Sequence, residues 1–403
     1  MTTQVTYDPW HAALLDLLHL TQQAQDDQVA ECVSAALRPL GLETTCYLVD
    51  EEQRHLHPLA EPGKQPPAAL GVDGTVAGRA FTTVDTQRVG GGAGSRMWVP
   101  LVDGTERLGV VEVVLRRDDC DIEALQDWCE SYVGLVGHLL AVKMPYGDSL
   151  QQVRRTRPMT VAGELLLSAL PPLTFTSDRL VLSALLEPHY DIGGDAFDYA
   201  LDNEIAWFCV LDGMGRGLPA AVMTVTALAA IRAARRDARG LYAIAQSAED
   251  ALRDQFDGAA YVTGLLCELD TGTGRLRYIS AGHPAPLLLR HGRAVRELTG
   301  GRRLPLGLDD STIEVAEETL EPGDRLLLYT DGVVEACDRR GEPFGVERLV
   351  DLTEQAAQAK LPAPETLRGL AHRVAAFRDG PPRDDAMLML VEWSVDAARR
   401  VLP

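Results

Sequence analysis

The sequence predicts an α+β protein built in two parts, and three observations predict it. Up to about residue 145 the pattern runs helix, strand, hairpin, helix. From Asp178 onward, short β-like runs alternate with turn residues, and helical stretches follow in pairs, the signature of sheets layered with helices. The chain has 403 residues and a hydrophobic content of 46%, enough for more than one packed core.

In the first part, residues 10–25 read as a helix, with Leu14, Leu15, Leu17, Leu18 and Leu20 crowding one broad face. A second helix is expected from Asp27 to about Leu40, ended by Gly41, and a strand over 44–50. The segment 54–72, rich in Pro and polar residues, reads as loop. Met97-Trp-Val-Pro-Leu101 and Leu108-Gly-Val-Val-Glu-Val-Val-Leu115 read as strands joined at the Asp103-Gly104 turn, and a helix over 121–142 closes the unit. Pro145 and Gly147 break that helix. Val161, Leu165, Leu166 and Leu170 then form an apolar stripe stopped by Pro171-Pro172. Such a helix serves as a lever or dimer contact, or packs against the next domain.

In the second part, strands are expected over 179–186, 204–211, 261–269, 275–281, 285–290, 324–330 and 386–392. Helices are expected over 217–236, 241–255, 345–358 and 364–377. Thr271-Gly272-Thr273-Gly274 and His291-Gly292-Arg293 are hairpin turns.

Asp plus Glu outnumber Lys plus Arg by 59 to 38, for a formal charge of -21. That field repels phosphate backbones and argues against a nucleic-acid partner. The seven cysteines include no Cys-x-x-Cys pair, and several lie in apolar runs such as Phe208-Cys209-Val210, a pattern that fits a reducing cytosol. The opening MTTQVTYDPW has neither a basic n-region nor an apolar h-region, and no uninterrupted apolar run approaches a membrane span. A cytoplasmic protein without a membrane partner is expected.

The chemistry is concentrated in four aspartate stations: Gly193-Gly194-Asp195, Asp212-Gly213-Met214-Gly215, Thr330-Asp331-Gly332 and Arg383-Asp384-Asp385. Asp-Gly by itself is a common turn dipeptide. Here, however, Phe208-Cys-Val-Leu-Asp212 and Leu326-Leu-Leu-Tyr-Thr-Asp331 are apolar strands that end on an aspartate followed by glycine. Glycine there is expected to let the backbone turn sharply and present its carbonyl. Carboxylates and carbonyls converging from strand ends suit hard divalent cations, and a pair of such ions activates water for in-line attack on phosphorus.

Seven segments, in order, resemble the SpoIIE/RsbU-like branch of the metal-dependent type-2C protein serine/threonine phosphatases (the PPM family). They are Glu187-Pro-His-Tyr-Asp-Ile-Gly-Gly-Asp-Ala-Phe-Asp-Tyr199, Val210-Leu-Asp-Gly-Met-Gly-Arg-Gly-Leu-Pro-Ala-Ala221, Ile279-Ser-Ala-Gly-His-Pro-Ala-Pro286, Leu304-Pro-Leu-Gly-Leu308, Gly323 through Ala336, Gly341-Glu-Pro-Phe-Gly345 and Arg383-Asp-Asp385. The resemblance implies an α-β-β-α sandwich of two antiparallel sheets flanked by helices over 173–395. It also implies two Mn2+ or Mg2+ ions, held by Asp195, Asp212, the Gly213 carbonyl, Asp331 and Asp384, with Asp385 as a supporting group. The implied substrate is a phosphorylated regulatory protein akin to an anti-sigma-factor antagonist. Gly74-Thr-Val-Ala-Gly-Arg-Ala-Phe81 and the Val99-Pro-Leu…Leu108-Gly-Val-Val-Glu pattern resemble a GAF domain, an α/β sensor, over 1–145. Its ligand is not specified by any residue set, though His55, His57 and Cys46 are the side chains there able to ligate a haem. Residues 146–172 then form a linker helix that favours a homodimer, and 396–403 a tail.

Three departures from the family pattern stand out. Arg216 replaces the usual His between Gly215 and Gly217, as either a phosphate donor or a solvated helix-start residue. Phe197 and Tyr199 alter the aromatic pattern after the first station, and no phosphate-binding arginine is found near the domain start. His283 and His189 are lesser candidates for proton transfer. A catalytically silent phosphatase-like module that docks partners is the alternative, against which the four intact aspartates argue.

Overall fold

The computed structural model describes residues 8–90, 94–116, 122–187, 190, 193–256, 258, 260–310, 314–380 and 384–394. The chain divides into two compact units, Met1–Arg157 and Pro158–Val401. Of the stretch 146–172, residues 149–154 pack in the first unit and 161–169 in the second.

In the first unit the described elements are α1 (Pro9–Gln23), α2 (Val29–Leu37), β1 (Leu42–Val49), β2 (His55–Pro58), β3 (Leu70–Gly71), α3 (Val76–Thr83), β4 (Gln87–Val89), β5 (Arg96–Asp103), β6 (Glu106–Leu115), α4 (Ile122–Lys143) and α5 (Ser149–Arg154). The strands form one antiparallel sheet in the order β3-β2-β1-β6-β5-β4. β1 is apolar on both faces. Cys46 and Leu48 point to a cluster with α1, α2 and α4, while Tyr47 and Val49 point to one under α3.

One expectation is corrected here. The stretch 54–72 is not all loop, since it holds β2 and β3, strands too short for periodicity to show. Residues 76–83 are a helix, its start capped by Thr75 Oγ1, which accepts from Gly78 N at 2.9 Å. Gly78 packs so closely that a Cβ there would lie 1.7 Å from the Val72 carbonyl oxygen.

The second unit continues with α6 (Val161–Ala169), β7 (Thr174–Thr176), β8 (Leu180–Glu187), β9 (Asp195–Asp202), β10 (Ile205–Gly213), α7 (Leu218–Arg236), α8 (Leu241–Phe256), β11 (Val262–Asp270), β12 (Arg275–Ala281), β13 (Leu287–Arg290), β14 (Arg293–Glu297), β15 (Arg302–Arg303), β16 (Ala316–Thr319), β17 (Asp324–Tyr329), α9 (Asp331–Val334), α10 (Gly345–Gln358), α11 (Ala363–Phe377) and β18 (Ala386–Trp393). Two sheets form, β15-β12-β11-β10-β9 with β16 on β12, and β14-β13-β17-β18-β8-β7. Phe197, Phe208, Val210 and Leu265 of the first sheet share one core with Leu182, Leu326, Met387 and Met389 of the second. α7 and α8 cover the outside of the first sheet, and α10 and α11 that of the second.

This unit is therefore an α-β-β-α sandwich. Its pairings are antiparallel except that β15 runs parallel to β12, because the chain crosses to the other sheet for β13 and β14 before returning. α6 buries Ala162 and Leu166 in the inter-sheet core. α7 is long and apolar enough to cross a membrane by length and composition, but it packs Leu228 and Ile231 against Leu211 and Leu266 of the first sheet.

Candidate metal and phosphoryl site

The β9–β10 hairpin builds half of the site. Its unbroken register pairs Ile205 with Asp202 at the turn and Asp212 with Asp195 at the far end. Directly opposed residues of an antiparallel pair lie on the same face about 5 Å apart, so two carboxylates are set side by side. Like charges so placed repel unless a cation lies between them.

The other half comes from the second sheet. Thr330 follows β17 at the N-cap of α9, which Asp331 opens, while Asp384 and Asp385 lead into β18. The two sheets are tied at this point. Thr330 Oγ1 donates to Asp195 Oδ2 at 2.7 Å and accepts from Met387 N at 2.9 Å. Asp385 Oδ2 accepts from the backbone N–H groups of Gly193 (2.5 Å), Gly194 (2.7 Å) and Asp195 (3.4 Å), three consecutive donors wrapped around one carboxylate. Asp385 thus fixes the first station's backbone.

The glycines act by close approach rather than by the turn expected of them. Neither Gly213 nor Gly332 has a positive φ. A Cβ on Gly213 would lie 2.3 Å from Thr224 Oγ1 of α7, and one on Gly332 would lie 1.8 Å from the Asp385 carbonyl oxygen. Their bareness lets α7 and the β18 lead-in press against the stations. Thr224 Oγ1 donates to Gly194 O at 2.6 Å, which joins α7 to the first station. The Gly213 carbonyl lies against Gly194.

Electrostatics follow from this crowding. Burial, then Asp212 and Asp385, raises Asp195 well above the usual carboxylate range. Burial, then Asp331, Asp384 and Asp385, pushes Asp212 up to about 7. Asp384 is also raised, by burial first, with Arg216 pulling the other way. Asp385 is raised by burial, against the pull of its three N–H donors. A set of carboxylates that hinder one another's ionisation is a site of uncompensated negative charge. All donors are hard oxygens, which fits Mg2+ or Mn2+. No three of these carboxylates bring oxygens within 4.8 Å of one another.

Of the expected site residues, Asp195, Asp212, Gly213, Asp331, Asp384 and Asp385 thus meet at the end of the sandwich. Arg216 is exposed beside Asp384. His189 and Arg383 lie outside the described residues. His283 is buried, and burial lowers it to about 4, so it is neutral near pH 7. Its Nδ1 lies 3.1 Å from Thr263 Oγ1, which in turn donates to Asp212 Oδ2 at 3.5 Å. Sequence reasoning missed Thr224, Thr263 and Thr330. Only Thr330, next to Asp331, carried a positional signal.

Thr263 orients Asp212, and groups behind a metal ligand typically affect affinity by 10–100-fold. Thr263→Val is therefore expected to weaken Mn2+ binding by about tenfold or more. A Mn2+ titration of both proteins checks this, and equal affinity would remove Thr263 from the site.

Residues 202–394 match the family model described as Stage II sporulation protein E (SpoIIE). Phosphoserine phosphatase RsbP of Bacillus subtilis (strain 168) is 25% identical over 172 residues, 40% of this chain and 41% of RsbP. Phosphoserine phosphatase RsbU of the same organism is 20% identical over 269 residues, 64% of this chain and 78% of RsbU. Protein IcfG of Synechocystis is 27% identical over 138 residues, 34% of this chain and 21% of IcfG. The match thus covers less than two thirds of RsbP and of IcfG. Among solved structures, the SiaA-PP2C domain of Pseudomonas aeruginosa is similar at a TM-score of 0.51 and 26% identity, covering 63% of this chain and 99% of that domain.

Proposed function

We propose, from the premise that residues 202–394 belong to the SpoIIE family and fold as a PP2C-type phosphatase domain, that this chain is a metal-dependent protein serine/threonine phosphatase. The observation that carries the reading is the convergence of Asp195, Asp212, Asp331 and Asp384 from two sheets on one oxygen-lined site. Two divalent cations bound there would supply an activated water and neutralise charge on the phosphoryl group.

The chain's own residues have distinct tasks. Asp195 and Asp212, with the Gly213 carbonyl, hold the site from the first sheet, and Asp331 and Asp384 hold it from the second. Thr330 and Thr263 aim Asp195 and Asp212. Asp385 keeps the 193–195 backbone in place. No protein nucleophile is required, because water is the attacking group.

The relatives named phosphoserine phosphatases support phosphoserine as the group cleaved, and the family resemblance of the sequence extends the proposal to phosphothreonine and to a regulatory protein akin to an anti-sigma-factor antagonist. The first unit acts in this reading as a GAF-like sensor in a cytoplasmic homodimer. Its cleft of about 950 Å³, lined by Arg38, Glu43, Glu61, Arg96, Glu112 and Arg116, suits a polar ligand. Control runs through α7, which touches both stations of the first sheet through Thr224 and Ala220. Arg232 of α7 joins this helix to α6 and β9, donating to Ala169 O and to Asp198 Oδ1, both at 2.8 Å.

The test is phosphate release from matched phosphoserine and phosphotyrosine peptides in Mn2+. Release from phosphoserine alone is expected. Preference for phosphotyrosine, or no release from either, would overturn the assignment.

A further inference from the structure

We propose that Asp50, His55 and His57, in the first unit, form a second metal site of different chemistry, which takes one borderline transition-metal cation, Zn2+ first among them. β1 ends at Val49, so Asp50 is the first residue beyond it, and β2 returns antiparallel with Val49 opposite Leu56 and Leu48 opposite His57. Residues i and i+2 of a strand share a face. His55 and His57 therefore project together, while Leu56 between them is fully buried in the cluster under α3.

The carboxylate they face is itself fully buried. Asp50 Oδ2 lies 3.2 Å from His55 Nδ1 and 3.7 Å from His57 Nε2, and the three ligand atoms lie within 4.8 Å of one another. A tetrahedral ion with bonds of roughly 2.0–2.1 Å to nitrogen and oxygen spaces its ligands about 3.3 Å apart, so an ion fits with little movement.

Two further observations point to a ligand. His57 Nε2 is buried and has no hydrogen-bond partner among the described residues, a costly state for a ring nitrogen unless something occupies it. Asp50 is held in place before any ion arrives. Its Oδ1 accepts from Arg54 N at 2.7 Å and its Oδ2 from His55 N at 3.1 Å. His55 is half-exposed, so the fourth position opens to solvent, and three protein ligands plus one open position describe an ion that can still take an exogenous ligand.

Two imidazoles and one carboxylate select Zn2+ and its neighbours over Mg2+, which prefers oxygen alone. The two sites can therefore be told apart. The full chain is saturated with Mg2+, equilibrated with Zn2+, and its bound zinc is counted by elemental analysis beside His57→Gln and His55→Ala. The wild type is expected to hold one more zinc per chain than either variant, and Zn2+ is expected to raise its unfolding temperature but not theirs. His55→Ala removes a half-exposed ring and so reports on binding even where His57→Gln disturbs packing. Its zinc affinity is expected to fall by more than about 100-fold, beyond what loss of a group behind a ligand costs. Equal zinc content in all three proteins, or no zinc held above saturating Mg2+, would overturn the proposal.

Discussion

Asp212→Asn is expected to abolish metal-dependent turnover and, with metal removed by EDTA, to make the chain more stable than the wild type. The two effects share one cause. Asp212 stands opposite Asp195 and near Asp331, Asp384 and Asp385, and its pKa is pushed from 3.8 to about 7. Between those values the folded, metal-free protein holds a proton that the unfolded chain has released. The penalty from Asp212 is thus fully present above about pH 7 and disappears below about pH 4. Asparagine removes the charge and keeps the shape. Since one pKa unit is worth about 1.4 kcal/mol, the gain at about pH 8 amounts to a few kcal/mol at most, and the gap between variant and wild type closes on acidification. Activity is expected to fall by more than about 100-fold, beyond what loss of a group behind a ligand costs. Urea unfolding in EDTA across this pH range reads the first effect. A variant less stable than the wild type at about pH 8 would mean that the aspartates do not repel one another.

Gly332→Ala is the second large effect. The added methyl would lie 1.8 Å from the Asp385 carbonyl oxygen, and that neighbour is backbone, unable to swing aside. The strand lead-in at 384–385 and the start of α9 must separate, which moves Asp331 and Asp384 apart and loosens the Asp385 contacts to Gly193 and Gly194. Overpacking of this kind costs about 1–3 kcal/mol or more, and turnover is expected to fall with it because a ligand pair is displaced. Gly341→Ala is the control. It has φ +77 and open space around it, so only backbone strain of about 1 kcal/mol is expected, with activity kept. Thermal melts and phosphate release on both variants check the contrast. Equal behaviour would mean that close approach at Gly332 is not what holds the site.

The parts of the fold that were legible in the sequence are those with long, periodic patterns. The helices at 217–236 and 345–358 and the strands over 275–281 and 386–392 lie within a residue or so of α7, α10, β12 and β18. β9 does not read as a strand in the sequence, because Asp195, Asp198 and Asp202 break its apolar run. Yet Asp195 and Asp198 are both buried, one held by Thr330 and the other by Arg232 and Arg235. Composition counts such residues as surface until their partners, far away in sequence, are known. β2 reads as loop in the sequence although His55-Leu56-His57 alternates, because four residues are too few to register a period. The site aspartates were legible because each ends or begins an apolar run. The threonines that aim them were not, since Thr224 and Thr263 reach the site only through helix packing and strand pairing. At Gly213 and Gly332 the Asp-Gly dipeptide suggests a turn, whereas what requires glycine is a close contact.

The most direct test is Mn2+-dependent hydrolysis of p-nitrophenyl phosphate by the full chain beside Asp331→Asn, a ligand from the sheet opposite Asp212. Hydrolysis that requires added Mn2+ and is lost in Asp331→Asn is the predicted result. Hydrolysis that persists in EDTA, or that survives the substitution unchanged, would contradict a site assembled from both sheets around divalent cations.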